Sequence, residues 1–166
     1  MNAGTHTIGA AAAGAACYAF YSMPFQLESI YGAIFIGSTI AGGLLPDICQ
    51  PFSWIGRRLG LISKMVNKIF GHRTFTHSLL FLVFLFLASG AVQENWAAPF
   101  QYGLTIGAAS HLLLDMLTPR GVALLYPAKF YIKAPLTTKT GSIMGEGVIG
   151  FLMMAWIVYF STTMTG

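Results

Sequence analysis

One apolar stretch decides the fold of this chain: residues 74–92 read TFTHSLLFLVFLFLASGAV, without a charged side chain. A helix of roughly 20 mostly apolar residues is long enough to cross the hydrocarbon core of a bilayer. Further stretches of the same texture occur on both sides of it. The sequence therefore predicts about five transmembrane helices, which run roughly over His6–Tyr21, Ile30–Leu45, Thr74–Val92, Pro99–Leu117 and Glu146–Met164.

The composition agrees with a membrane protein. Of the 166 residues, 55% are hydrophobic and 8% are charged, whereas about a quarter of the residues of a soluble domain are charged. The predicted helices and their loops use the whole chain. We therefore expect residues 1–166 to form a single integral-membrane domain, an all-α polytopic helical bundle.

The cations give this bundle an orientation. All nine Lys and Arg side chains fall in two segments, one between the second and third predicted helices and one between the fourth and fifth. These segments share one face, which the excess of cations marks as cytoplasmic. The prediction is a multi-pass protein of the cytoplasmic (inner) membrane whose basic loops attract anionic lipid headgroups. Nucleic acid is a weaker alternative as a partner, and the sequence does not define an oligomeric state.

The segment before the third predicted helix has a different pattern. Apolar residues recur there at three- and four-residue steps, and cations fill much of the remaining surface. This pattern predicts one amphipathic helix lying in the membrane interface and ending at Gly71. Its basic side is either a simple anchor or a surface that recruits substrate. The apolar residues are Leu59, Ile62, Met65, Val66, Ile69 and Phe70.

Two pairs of residues are the first candidates for metal ligands. His111 and Asp115 lie four apart in a predicted helix, so their side chains share one face; the alternative is a histidine hydrogen-bonded to a helical neighbour. His72 and His77 flank the start of the third predicted helix and can point at one pocket. Between them, Arg73 is placed to bind an anion through two hydrogen bonds, or it is one more cytoplasmic charge.

Three further residues fall at the same end of the bundle. His6 begins the first predicted helix and is weak support by itself. Asp47 follows Pro46 at the end of the second helix, where a plain turn residue is an alternative. Glu146 begins the last helix, where a carboxylate also favours the helix dipole.

Their conjunction changes the interpretation of each residue. All four histidines and three of the five acids share one layer. Ionisable groups in or beside membrane helices are costly, so seven of them gathered in one layer indicate a site. Imidazole with carboxylate suits zinc best, manganese next and iron less. An open coordination position would hold water and lower its pKa to about 7, giving a hydroxide nucleophile. The number of candidates predicts one to three ions, and sites with two or more are common where phosphoesters are cut.

Several motifs resemble a known family. Five segments are similar to the bacterial inner-membrane, LexA-regulated proteins regarded as metal-dependent hydrolases. They are 44–47 (LLPD), 71–78 (GHRTFTHS), 110–122 (SHLLLDMLTPRGV), 124–127 (LLYP) and 141–142 (GS). The resemblance extends from His6 to Glu146. It implies a hydrolase distantly related to zinc phospholipases C and single-strand nucleases.

One departure from this family concerns the second motif acid. The family usually has Leu-Pro-Asp-x-Asp, whereas Cys49 stands here at the position of the second Asp. A thiolate also binds zinc, so the site either persists with altered selectivity or has lost one metal or its general base.

These predictions combine into one hypothesis, a membrane-bound metal-dependent hydrolase with its site at the cytoplasmic mouth. Its substrate is a phosphoester, with a phospholipid headgroup as first choice. Asp47 or Glu146 takes a proton from water, while Arg73, with help from Arg120, holds the phosphate; Glu146 is otherwise an orienting residue or a further ligand. The predicted metal ligands are His6, Asp47, His72, His77, His111 and Asp115.

Two alternatives stay open at this point. A metal-ion transporter would place its site near the membrane midplane, usually between repeats, whereas these candidates lie at one end. A non-catalytic membrane scaffold would use a metal only to tie helices together. The sequence does not separate the scaffold from an enzyme.

Overall fold

The computed structural model describes residues 1–71, 73–128 and 130–165. Within these residues the regular secondary structure is helical. The elements are α1 (Ala3–Phe20), α2 (Ile30–Leu44), a 3-10 turn (Leu45–Cys49), α3 (Trp54–Leu59), α4 (Leu61–Phe70), a second 3-10 turn (Phe75–His77), α5 (Leu79–Gly90), α6 (Ala97–Met116) and α7 (Gly145–Thr165). An isolated bridge joins Val122 to Ile132 in the loop before α7. The all-α prediction is confirmed for the described residues.

Side-chain caps set the starts of several helices. Asn2, Ser29, Ser53 and Ser78 each accept a hydrogen bond from a backbone N–H in the first turn of the helix that follows. Such caps satisfy donors that have no partner within the helix. The cap at Ser78 matters most for the site, since α5 begins at Leu79 rather than at Thr74 as predicted. The residues before it are thereby left in a turn beside the bundle core.

The centre of the bundle is a close crossing of α2 and α6, with α1 packed against both. Small residues permit this approach. A Cβ atom at Gly107 of α6 would lie 2.0 Å from the Thr39 carbonyl oxygen of α2. The glycine therefore lets the two backbones touch, which brings the ends of α2 and α6 together.

The outer helices expose apolar surface. On α5, Phe84 and Leu87 are 55% and 65% exposed, and on α7, Phe151 and Leu152 are 71% and 61% exposed. Large exposed apolar surfaces of this kind mark a protein or membrane contact. Among the described residues, Ile30–Cys49 and Gly145–Thr163 are long and apolar enough to cross a membrane, and Leu79–Gly90 is apolar but shorter. The 12 residues of α5 extend over about 18 Å.

The predicted interfacial helix is divided in two. Gly60 has a φ of +44°, which ends α3 and lets α4 start in a new direction. Gly71 ends α4 as predicted, with its N–H donating to the Asn67 carbonyl. Along α4, Leu61, Met65 and Ile69 are 77%, 62% and 67% exposed, so an apolar face lies open.

Candidate metal centre

The end of α6 supplies the first pair of candidate ligands. His111 and Asp115 are 0% and 1% exposed, and His111 Nε2 lies 3.9 Å from Asp115 Oδ2. The i, i+4 spacing therefore places both side chains on one face, as predicted from the sequence. Because α6 crosses α2 closely, this face lies against the last turn of α2.

The α2 backbone fixes the orientation of His111. The Nδ1 atom of His111 lies 2.7 Å from the Gly43 carbonyl oxygen, and a carbonyl can only accept a hydrogen bond. The proton of the neutral ring is therefore on Nδ1, and the Nε2 lone pair is directed into the site. Ligating histidines commonly have this kind of partner on the second ring nitrogen.

His77 enters the same site from the 3-10 turn before α5. Its Nδ1 atom lies 3.0 Å from Thr76 Oγ1 and 3.9 Å from Cys49 Sγ. Its Nε2 atom lies 3.2 Å from His111 Nε2. Two imidazole nitrogens that share a tetrahedral ion at about 2.05 Å are about 3.3 Å apart. The observed spacing fits two ligands of one ion.

Asp47 adds a carboxylate to this pair of histidines. It lies on the 3-10 turn that Pro46 begins, and its Oδ1 atom is 3.8 Å from both His77 Nε2 and His111 Nε2. Its side chain is 19% exposed, unlike the fully buried histidines. Asp47 is thus the member of the cluster that also meets the solvent.

His6 of α1 completes the cluster of candidate ligands. Its ring stacks on the His111 ring with centroids 3.6 Å apart, and its Nε2 atom lies 3.4 Å from Asp115 Oδ1. Both ring nitrogens are buried, and neither makes a well-aligned hydrogen bond within the described residues; Nε2 has only its contact with Asp115, and Nδ1 has none. A buried polar atom left unpaired costs about 1–3 kcal/mol, so a ligand such as a metal ion would stabilise this residue.

The donor atoms form two groups that share His111. One contains His6, His111 and Asp115, and the other contains Asp47, His77 and His111; within each group the ligand atoms lie within 4.8 Å of one another. The mixture of imidazole and carboxylate fits a divalent transition metal, with zinc first. Five of the predicted ligands therefore converge in the structure, and His72 lies outside the described residues.

Arg73 lies inside the cluster with its guanidinium on Asp115. The Nη2 atom is 2.7 Å from Asp115 Oδ2, and Nη1 is 2.7 Å from Thr118 Oγ1. Its φ of +58° is uncommon for a residue other than glycine and typical of functional sites. The guanidinium of Arg73 is thus already paired with a carboxylate, whereas that of a free anion-binding arginine would not be. The guanidinium instead orients Asp115, and its edge lines the neighbouring cleft.

Glu146 is buried but is not grouped with the histidines. Its carboxylate accepts hydrogen bonds from Asn2 N at 2.8 Å, from Thr5 Oγ1 at 2.6 Å and from Gly141 N. These contacts tie α7 to the start of α1 and to the preceding loop. The structure thus places Glu146 at a helix junction, and its part in proton transfer stays a prediction.

Cys49 is fully buried, and its sulfur lies beside the His77 Nδ1 atom, whereas Nε2 is the atom that faces His111. Cys49 therefore contacts the ring nitrogen of His77 that is directed away from His111.

Sequence reasoning missed the contacts that hold the ligands in place, namely those of Thr76, Thr118 and the Gly43 carbonyl. Thr76 and Thr118 stand in the motifs themselves, but only the fold shows what each hydroxyl touches.

A cleft of about 650 Å³ opens next to the cluster. Asp47 and Arg73 form part of its wall on the cluster side. Further cations line it from three other segments, Arg57 of α3, Arg120 after α6 and Lys139 before α7. The cleft joins a candidate metal centre to a basic surface, which is an arrangement that suits a phosphate-bearing ligand.

Comparison with known proteins agrees with a membrane location. The family described as YdjM inner membrane protein matches residues 1–165. The uncharacterized protein YvsG of Bacillus subtilis is 40% identical over 162 residues, covering 96% of this chain and 94% of the relative. The inner membrane protein YdjM of Escherichia coli is 41% identical over 128 residues, covering 75% of this chain and 65% of the relative. No solved structure matches the chain.

Proposed function

The chain belongs to the YdjM inner membrane protein family, and we propose that it is a metal-dependent hydrolase of phosphoesters. The preferred substrate is a phospholipid headgroup at the cytoplasmic face of the inner membrane. The observation that carries this proposal is the convergence of three buried histidines and two aspartates beside a basic cleft. LexA regulation and kinship with zinc phospholipases C remain implications of the sequence resemblance.

The proposed arrangement in the membrane is multi-pass. We place α1, α2, α5, α6 and α7 across the bilayer, with α5 extended by the turn that precedes it. The exposed apolar faces of α5 and α7 support this arrangement because lipid would cover them. The open face of α4 supports an interfacial position, with Lys64 and Lys68 towards anionic headgroups. The cleft then lies at the depth of the headgroups.

The cluster residues would hold zinc, or manganese as second choice, at one to three positions. When bound, such an ion supplies Lewis acidity for activation of water and for stabilisation of phosphate charge. His77 and His111 contribute the facing Nε2 atoms, Asp47 and Asp115 contribute carboxylate oxygens, and His6 contributes a buried imidazole. Asp115 keeps its orientation through Arg73.

The residues around the cleft have separate roles in this reaction. Asp47 contacts both histidines and the solvent, so it is placed to accept a proton from the attacking water. The cations of the cleft bind phosphate oxygens and reduce the repulsion that an anionic phosphate presents to a nucleophile. Burial of the cluster keeps its electrostatic interactions strong.

Turnover by metal-loaded protein tests this proposal. We expect the wild type to hydrolyse phospholipid in detergent micelles, and Asp47→Asn to reduce kcat by about 10²–10⁴-fold. Lys133→Ala is the matched control, since Lys133 is exposed and does not line the cleft. Absence of phosphoester hydrolysis by the metal-loaded wild type would refute the function.

A non-catalytic scaffold is the second candidate, because the histidines come from three separate elements. His6, His77 and His111 lie on α1, the second 3-10 turn and α6, so a bound ion would also tie these elements together. The scaffold predicts that ligand variants lose thermal stability while no turnover exists to be lost. Measuring both quantities on the same preparations distinguishes the two functions.

A further inference from the structure

The rim of the cleft carries three cations that converge from distant parts of the sequence. Arg57, Arg120 and Lys139 are exposed and line the same cavity. The positive-inside bias explains why cations occupy this face of the protein. It does not explain why these three surround one cleft while Lys64, Lys68 and Lys133 lie outside its lining.

The acids of the chain are engaged or located elsewhere. Asp115 is paired with Arg73, and Glu146 accepts hydrogen bonds from Asn2, Thr5 and Gly141. The remaining two acids outside the cluster, Glu28 and Glu94, precede α2 and α6, at the ends of these helices opposite the site.

This distribution leaves the rim charge unneutralised. Among the residues that the structure describes, no ion pair within 4.0 Å joins Arg57, Arg120 or Lys139 to a carboxylate. Asp47 also lines the cleft, but it is directed at the histidines and would be neutralised by a bound ion. Three cations around one cavity repel one another, so a ligand with more than one negative charge would bind best.

We propose that the substrate presents a terminal phosphate, as a monoester or at the end of a diphosphate. This inference rests on the proposed function and specifies its substrate class. A terminal phosphate has a second pKa of about 6 and carries nearly two charges at neutral pH, whereas a phosphodiester carries one. The terminal group thus matches the rim better than the phosphodiester of an ordinary headgroup.

The reaction for a monoester is balanced without a further reactant. The bond between phosphorus and the alcohol oxygen breaks, and a new bond forms between phosphorus and the water oxygen. One water proton reaches Asp47 and is returned to the leaving alcohol oxygen. The products are the alcohol, which stays in the membrane if the substrate is a lipid, and inorganic phosphate.

The test compares three substrates with metal-loaded, full-length protein. Phosphatidic acid offers a terminal phosphate on a lipid, phosphatidylglycerol offers a lipid phosphodiester, and glycerol 3-phosphate offers the terminal phosphate without the lipid. We expect kcat/KM for phosphatidic acid to exceed that for phosphatidylglycerol by at least about tenfold, as one additional charged hydrogen bond implies. Similar turnover of glycerol 3-phosphate would support the terminal phosphate and exclude a need for the lipid.

Variants connect this preference to the rim. Lys139→Ala and Arg120→Ala should each lower kcat/KM for phosphatidic acid by about tenfold, and by a larger factor than they lower kcat/KM for phosphatidylglycerol. Lys133→Ala should change neither. Calorimetric titration with inorganic phosphate gives a readout apart from turnover, in which Lys139→Ala should bind about tenfold more weakly than the wild type.

Two outcomes would overturn the inference in different ways. Preference for phosphatidylglycerol over phosphatidic acid, or rim variants that leave phosphate binding unchanged, would refute the terminal phosphate while the hydrolase remains. Hydrolysis of none of the three substrates would refute the proposed function and this inference with it.

Discussion

Replacing Thr76 with Val tests whether the neighbours of a candidate ligand fix its orientation. Thr76 is 2% exposed, and its hydroxyl oxygen lies 3.0 Å from His77 Nδ1. If this hydroxyl accepts a hydrogen bond from the Nδ1–H group, the Nε2 lone pair of His77 is directed towards His111 Nε2, 3.2 Å away. Valine has a similar shape but no hydroxyl, so it removes this acceptor and leaves the longer contact with Cys49 at 3.9 Å.

The magnitude follows from the loss of one buried hydrogen bond. Leaving a buried donor without its partner costs about 1–3 kcal/mol, and each 1.4 kcal/mol is about tenfold in affinity. The expected decrease in metal affinity is therefore about 5- to 150-fold, which overlaps the 10- to 100-fold typical of residues that orient ligands. Thr76→Ser retains the hydroxyl and should retain most of the affinity.

Competition with a chromophoric chelator measures this difference directly. Purified protein in detergent is titrated with zinc in the presence of the chelator, for the wild type and both variants, and the thermal stability of each metal-free protein serves as the folding control. Equal affinity of Thr76→Val and wild type would show that the hydroxyl does not orient His77. Equal loss in Thr76→Val and Thr76→Ser would assign the effect to packing instead.

Further predictions concern the helix crossing, the helix junction and the bound ion. Gly107→Ala should destabilise the protein by about 1–3 kcal/mol, because its new Cβ would lie 2.0 Å from the Thr39 carbonyl oxygen. Gly150→Ala is the control, since a Cβ there would have nothing within 4 Å. Equal melting temperatures of the two variants would contradict the close crossing. Glu146→Gln should lower stability by about 1–3 kcal/mol through weakened hydrogen bonds but leave the metal content unchanged, and loss of metal would place Glu146 in the site. Protein kept at a free metal concentration of about 100 times the dissociation constant should be about 2.7 kcal/mol more stable than protein stripped of metal by a chelator. A melting temperature that does not respond to metal would argue against a bound ion.

The sequence predicts the part of the site that depends on local periodicity and motif spacing. His111 and Asp115 share a face because helical residues four apart always do, and this face is the one that points into the cluster. The convergence of His6, Asp47 and His77 on the same place was predicted from their common end of the bundle. The ends of α2 and α4, at Pro46 and Gly71, followed from residues with restricted or unusual backbone geometry.

Other features depend on contacts between distant segments. Thr74 and Ser78 are both suitable helix caps, so the sequence does not decide between them as the start of α5. The structure starts α5 after Ser78, and the preceding 3-10 turn places His77 in the cluster. The contact of Arg73 with Asp115 joins the loop after α4 to the end of α6, and no local sequence pattern connects these two segments. Gly60 lay within a continuous amphipathic pattern, and only its positive φ reveals the break between α3 and α4.

Elemental analysis by plasma mass spectrometry of detergent-purified protein tests the central claim most directly, with wild type beside His111→Ala. His111 belongs to both groups of candidate ligands, so its loss should affect every bound ion. The wild type should contain stoichiometric zinc or manganese, and a His111→Ala variant that circular dichroism shows to be folded should lose it. Wild type without a transition metal, or a folded variant with the same metal content, would contradict the central claim.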